Sequence, residues 1–224
     1  MGLDMYLERM PRHRGATASD VSAVEDYLDW LRAKADGKDS ANCSFKEWCG
    51  REKTPSQSDV EFYAAYYKAH YSQWDEEHKY PWMRITEQVG YWRKANQIHN
   101  WFVENIQDGI DDCSYHREVT EDDLIELMDI CKRVFDSCEM VSGQVNNGYR
   151  FENGERVPIM EDGKYVKDSS VAEELLPSAS GFFFGGTDYD EYYVEDIKNT
   201  IDIITTVLET TNFDTQMIYY ISSW

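Results

Sequence analysis

Apolar residues recur along this chain with two periods, and the switches between them mark out its elements. Residues 3–7 (Leu-Asp-Met-Tyr-Leu) alternate with a period of two, as a half-buried strand does. Residues 8–18 gather Arg9, Arg12, His13 and Arg14 around Pro11 and read as a loop. Ser19 and Asp20 are placed to cap a helix that keeps Val21, Val24, Tyr27, Leu28 and Leu31 on one face. Residues 36–58 are polar and turn-rich, with Phe45, Trp48 and Cys49 as a small packing island. Ser58 and Asp59 open a second helix, along which Tyr63, Tyr66, Tyr67, His70, Tyr71, Trp74 and His78 recur at helical spacing until Pro81 ends it.

The spacing predicts a third helix over 86–108, with positions 91, 95, 98, 102 and 106 as its apolar stripe, widened by Trp92 and Trp101, and Gly109 as its C-cap. The fourth begins at Thr120, where Glu121, Asp122 and Asp123 make an acidic first turn, and carries Leu124, Leu127, Met128, Cys131, Val134, Phe135 and Cys138 on one face. Residues 144–168 contain two Asn-Gly dipeptides and one Asp-Gly between short alternating runs, the pattern of a hairpin flap. The run 178–187 reads as a buried strand between glycine turns. Thr187 or Asp188 then caps a last helix with Tyr193, Ile197, Ile201, Ile204 and Leu208 as its core stripe, and 215–221 is a terminal strand able to pair with the first. These elements define an α+β class: a mostly helical single domain over 1–224, with a small sheet that includes the N- and C-terminal strands. Residues 33–80 form an inserted segment and 144–168 the flap.

Charge changes this picture by adding a surface. The 224 residues hold 22 Lys and Arg against 43 Asp and Glu, a net of −21. Residues 1–100 contain 16 acids and 14 bases, whereas 101–224 contain 27 acids and 8 bases. Such a field argues against direct nucleic-acid binding and against docking on an anionic membrane. With 42% hydrophobic and 14% aromatic residues, the chain is too apolar to be a disordered acidic segment. The five cysteines show no C-x-x-C spacing, and Cys131 and Cys138 read as small buried hydrophobes. No run approaches the length of a membrane span or a signal peptide, so a soluble, cytoplasmic protein is expected.

Three segments together resemble a family of uncharacterised small proteins found mainly in bacteriophages and prophages. They are the start Met1-Gly2-Leu3-Asp4-Met5-Tyr6-Leu7, the run Tyr91-Trp92-Arg93-Lys94-Ala95-Asn96 continuing through Ile98, His99, Trp101 and Phe102, and Ser180-Gly181-Phe182-Phe183-Phe184-Gly185 continuing through Thr187, Tyr189, Asp190, Glu191, Tyr192 and Tyr193. The resemblance implies a phage-type accessory protein, cytoplasmic in a host cell, and brings no activity with it. Similar proteins are sometimes labelled phosphoglycerate kinase. This chain is too short for two Rossmann-like lobes and has no phosphate-binding glycine fingerprint, so that activity is rejected.

Candidate chemistry divides into two surfaces. The first is acidic. Asp108, Asp111, Asp112, Glu121, Asp122, Asp123 and Glu126 form one cluster, and Asp188, Asp190 and Glu191 another. If the two helix starts lie side by side, their carboxylates would mimic a nucleic-acid backbone and steer towards a host or defence protein with a basic surface. The plainer account is a solvated surface with ordinary N-terminal capping. The second is a ligand cleft, for a small-molecule-binding protein or an enzyme, built from Arg93, Asn96, His99 and Trp101 with Ser180, Asp190 and Tyr192. There the plainer account makes His99 a hydrogen-bonded core residue and the glycines a packing device. Asp108, Asp111, Asp112 and His116 lack calcium-loop spacing, and His70 and His78 lack zinc spacing, so neither metal nor cofactor is called for.

Overall fold

The computed structural model describes residues 2–71, 85–181 and 184–224. Among these residues five strands, β1 (Asp4–Pro11), β2 (Glu87–Arg93), β3 (Met140–Glu152), β4 (Glu155–Val166) and β5 (Gln216–Ser223), accompany seven α-helices. The helices are α1 (Ala18–Ala35), α2 (Phe45–Cys49), α3 (Gln57–Tyr71), α4 (Asn96–Ile106), α5 (Glu121–Ser137), α6 (Ser170–Leu175) and α7 (Glu191–Thr210). The class is α+β. One sheet has the order β2-β1-β5, so the N- and C-terminal strands are neighbours, and β3 and β4 make a separate two-stranded ribbon. No described helix is long and apolar enough to cross a membrane.

The chain separates into two compact units. The first comprises Met1–Leu7, Gln88–Thr211 and Tyr219–Trp224; the second comprises Glu8–Glu87 and Asn212–Ile218, and contains the segment 33–80. In the second unit Tyr27, Trp30 and Phe45 form an aromatic cluster with ring centroids 5.3–5.9 Å apart. Arg51 donates to Asp26 at 2.6 Å and to Ser22 at 2.7 Å, tying the loop after α2 to α1. His13 stacks on Phe62 and bonds Asp59 at 3.0 Å. Residues 8–11, expected as loop, continue β1, and α1 begins after Thr17, whose hydroxyl and Asp20 make a capping box. The expected positions Trp74 and His78 lie outside the described residues, as does the His70 side chain.

The core of the first unit is built from Leu3 just before β1, Met5 and Leu7 within it, Trp92, the α4 residues Ile98, Phe102 and Ile106, and the inner faces of α5 and α7. Phe102 stacks on Tyr220 with centroids 4.1 Å apart, and Trp92 Nε1 donates to Thr200 at 2.9 Å. Each large side chain buried there contributes about 1.5–3 kcal/mol. α5 carries the expected Thr120 cap.

Three sequence expectations are corrected. The long helix over 86–108 is a strand, a turn and a shorter helix. Gly90 faces Ile203, where a Cβ would sit 2.9 Å from its Cγ2, and Lys94 turns the chain with φ +63°. Of the expected stripe, Tyr91 is exposed while its neighbour Trp92 is buried, because successive strand residues face opposite ways. The segment 178–187 is loop at its described residues, with Phe182 and Phe183 outside them. The last helix is capped by Asp190, not Thr187 or Asp188: its carboxylate accepts the amides of Tyr192 and Tyr193 at 3.0 and 3.1 Å. The 144–168 flap is the β3-β4 ribbon. Asn153-Gly154 turns it with φ +52° and +87°, while the irregularity between Asn146 and Tyr149 takes the other Asn-Gly as a bulge.

Candidate functional site

One cleft in the first unit collects residues from four separate segments. Its walls are Arg93, Lys94, Asn96 and Gln97 at the β2-α4 turn, the bulge 146–149, the loop residues Ser178, Ser180, Gly181 and 185–188, the α7 cap Asp190, and the α7 residues Tyr192, Glu195, Asp196 and Asn199. Its volume is about 900 Å³, ample for a small organic ligand.

Asn96 fixes the loop wall. Its Nδ2 donates to the carbonyls of Phe184 and Gly186 at 3.2 and 2.8 Å, and its Oδ1 accepts the Ala179 amide at 2.8 Å. The side chain is 2% exposed and three of its hydrogen-bonding positions are used, so it shapes the cleft rather than binding within it. Ser178 donates to the Thr187 carbonyl at 2.7 Å, closing the same loop from within. Gly185 adopts φ +96°, and a Cβ there would lie 3.2 Å from Lys94 Cβ, so loop and turn are in close contact. Gly186 has open space where a side chain would project.

The charges of the cleft fall into two groups. Arg93, at the end of β2, reaches Asp4 only at 4.0 Å and its side chain is 61% exposed. Lys94 makes no ion pair among the described residues. Around the α7 start stand Asp188, Asp190, Glu195 and Asp196. Burial pushes Asp196 up to about 6, aided by the neighbouring carboxyls Glu195 and Asp190 and opposed by the Gln97 amide, which donates to it at 3.3 Å. Burial also raises Asp190, with Asp188 adding to the rise and the two capped amides opposing it. Tyr149 and Tyr192 offer exposed rings at the wall, 46% and 63% accessible.

Of the seven residues expected to form a cleft, Arg93, Asn96, Ser180, Asp190 and Tyr192 do line it. His99 and Trp101 do not. His99 is 1% exposed, with Nδ1 2.6 Å from the Tyr220 hydroxyl and Nε2 3.1 Å from Asp111. Burial holds its pKa below the usual range, against the pull of Asp111. Trp101 packs edge-on against Phe102 in the core. Gln97, Glu195, Asp196, Asn199 and the Asn146-Asn147 bulge complete the cleft without having been expected there. The spacing 192, 195, 196 and 199 places four cleft residues on one helical face, a signal present in the sequence.

The expected acidic face is divided. Val166 donates to the Tyr189 carbonyl and Lys167 to that of Glu139, so the end of α5 adjoins the start of α7. Thr205, far along α7, meets Met128. The helices are antiparallel, and the 17 residues of α5 put about 25 Å between their acidic starts. Within the first cluster, Asp111 also accepts from Trp224 at 3.1 Å. Asp112 is held at about 2 by the Ser114 hydroxyl and then His116, and Asp123 is lowered to about 2 by Arg117 and its Thr120 cap in spite of burial. Asp108 turns the chain after α4 with φ +53°. Glu121, Asp122, Glu126, Asp188 and Glu191 are exposed.

All five cysteines are free, and burial pushes Cys131 up to about 12, so its thiol is inert as well as apolar. Among the described residues no three His, Cys, Asp or Glu side chains gather as a metal-ligand set. Comparison with protein-family models, curated proteins and solved structures returns no match for the chain.

Proposed function

We propose that this is a small-molecule-binding protein whose ligand occupies the cleft at the β2-α4 turn. The observation that carries this reading is convergence: Arg93 from β2 and Ser180, Asp190 and Tyr192 from the chain about ninety residues later line one concavity whose loop wall is held by the buried Asn96. A polar loop stapled by a buried amide is preorganised, which lowers the cost of binding. The test is a thermal-shift screen of a metabolite panel against the wild type and Gly186→Trp. Gly186 lines the cleft, and a Cβ there would meet no atom within 4 Å, so a tryptophan is accommodated at the cleft wall without a clash. Stabilisation of the wild type but not of Gly186→Trp supports the reading; a panel without any such ligand removes it.

The exposed carboxylates of Glu121, Asp122, Glu126 and Asp129 along α5 favour a second reading. In it a phage-type accessory protein docks a basic surface of a host or defence protein on that helix. A nucleic-acid mimic assembled from both acidic clusters is not supported, because the antiparallel helices hold them at opposite ends. Recovery of a basic partner that Asp122→Asn with Glu126→Gln abolishes, while Asp188→Asn with Glu191→Gln does not, is the result this reading expects. Equal losses in both variants would count against it.

A further inference from the structure

We infer that the cleft takes a dipolar ligand, an amino acid or short peptide, with its carboxylate towards Arg93, Lys94 and the 185–187 loop and its ammonium towards Asp190, Glu195 and Asp196. This rests on the binding reading above and names the ligand class for the same cleft.

At the basic end the two cations are available: Lys94 has no ion pair among the described residues and Arg93 touches Asp4 only at 4.0 Å. Beside them the backbone amides of Gly185, Gly186 and Thr187 donate to no acceptor among the described residues. Lys94 lies against Gly185, where a Cβ would be 3.2 Å from Lys94 Cβ and 3.6 Å from its Cδ, so the cationic side chain starts out beside this turn. Free amides on a glycine-bearing turn beside a cation suit a carboxylate.

At the acidic end the carboxyls have only neutral partners. Asp190 uses Oδ1 for the helix cap and Asp196 uses Oδ2 for Gln97. The groups acting on Asp196 are burial, Gln97, Glu195 and Asp190; those acting on Asp190 are burial, the capped amides and Asp188. Arg93 and Lys94 are in neither set, so no cation of the cleft is among the groups acting on these two carboxyls. Half-buried carboxylates without a cation are costly, and a ligand ammonium relieves that cost. The exposed Tyr149 and Tyr192 rings can flank the same cation.

The balance of charges excludes the simpler ligands. Two bases stand against four carboxylates along the wall, so a phosphorylated molecule would meet net repulsion. A neutral sugar would leave Asp196 uncompensated. A molecule carrying both charges, with room in about 900 Å³ for more than one residue, satisfies both ends.

Calorimetry on the full chain at neutral pH, with free amino acids and a set of dipeptides with uncharged side chains, tests the inference. Each dipeptide is also presented N-acetylated and, separately, C-amidated. At least one free-ended probe should bind the wild type but not Gly186→Trp, and blocking either end should weaken it about tenfold or more, the worth of a lost charge-assisted bond. Arg93→Gln with Lys94→Gln should make free and amidated probes equivalent. Asp190→Asn with Asp196→Asn should do the same for free and acetylated probes, and asparagine retains the helix cap. A ligand that Gly186→Trp excludes, yet that lacks one of the two charges or ignores end-blocking, overturns the dipolar class and leaves the cleft reading standing. No ligand of any class sensitive to Gly186→Trp overturns the cleft reading itself.

Discussion

The side-chain oxygen of Asn96 accepts the amide of Ala179 at 2.8 Å, while its Nδ2 donates to Gly186 at 2.8 Å, so one buried residue spans both ends of the cleft's loop. Asn96→Ala removes three hydrogen bonds at once and leaves buried loop groups without partners. It should cost about 2–4 kcal/mol by denaturant titration. Amide exchange at Ala179 should accelerate more than exchange in the α5 core. Uniform loss of protection instead would mean that Asn96 supports the whole unit rather than the loop.

Asp196 should be a site where function opposes stability. Its folded pKa of about 6 lies above the unfolded value of 3.8. The folded state therefore holds a proton between those values that the unfolded state gives up, and stability falls as pH rises through that window, with the full cost present above about 6. Asp196→Asn should stabilise the protein at pH 7.5 by the order of 1–3 kcal/mol and have almost no effect at pH 3.5. The difference between wild type and variant isolates this group from others that titrate nearby. A gain independent of pH would show that burial of the carboxylate is not the cause.

His99 carries the opposite sign. Burial lowers its folded pKa below 6.5, so the unfolded chain protonates first and stability is lost as pH falls below 6.5. Tyr220→Phe removes the 2.6 Å partner of Nδ1 and should cost about 1–2 kcal/mol, with ligand affinity unchanged because neither residue lines the cleft. Loss of binding in that variant would place His99 in the binding machinery.

Gly90 tests the strand that replaced the expected helix. A methyl group there meets Ile203 Cγ2 at 2.9 Å and Leu7 Cβ at 3.2 Å, so Gly90→Ala should destabilise by about 1–3 kcal/mol. Ile203→Ala should recover part of that loss in the double variant. Additive losses would contradict the packing of β2 on α7.

What the sequence made legible was local and strongly patterned. Thr120 with its acidic first turn marked α5, the alternation at both termini marked neighbouring strands, and Asn153-Gly154 marked the ribbon's turn. The error at 86–93 arose because Ala95, Ile98, Phe102 and Ile106 keep a true helical stripe, and Tyr91 extends it by coincidence into a strand. Only the tertiary fit of Gly90 against Ile203 decides against helix there. At the cleft, Arg93, Asn96, Ser180, Asp190 and Tyr192 were found through their motifs, whereas Asp196 and Asn146 were not. Their part depends on α7 and the ribbon bulge meeting the same concavity, which no local spacing encodes. The relation between the two acidic clusters is hidden from the sequence for the same reason: helix direction, not composition, keeps them apart.

Amide chemical-shift mapping on the isotope-labelled chain tests the central claim most directly. Titration with a ligand from the metabolite or dipeptide panels should move the signals of Gly185, Gly186, Thr187 and the Asn146 and Asn147 side-chain amides together, with one apparent affinity, and leave those of the exposed α5 face in place. Shifts confined to α5, or spread over both units without those loop amides, would contradict a ligand in the cleft.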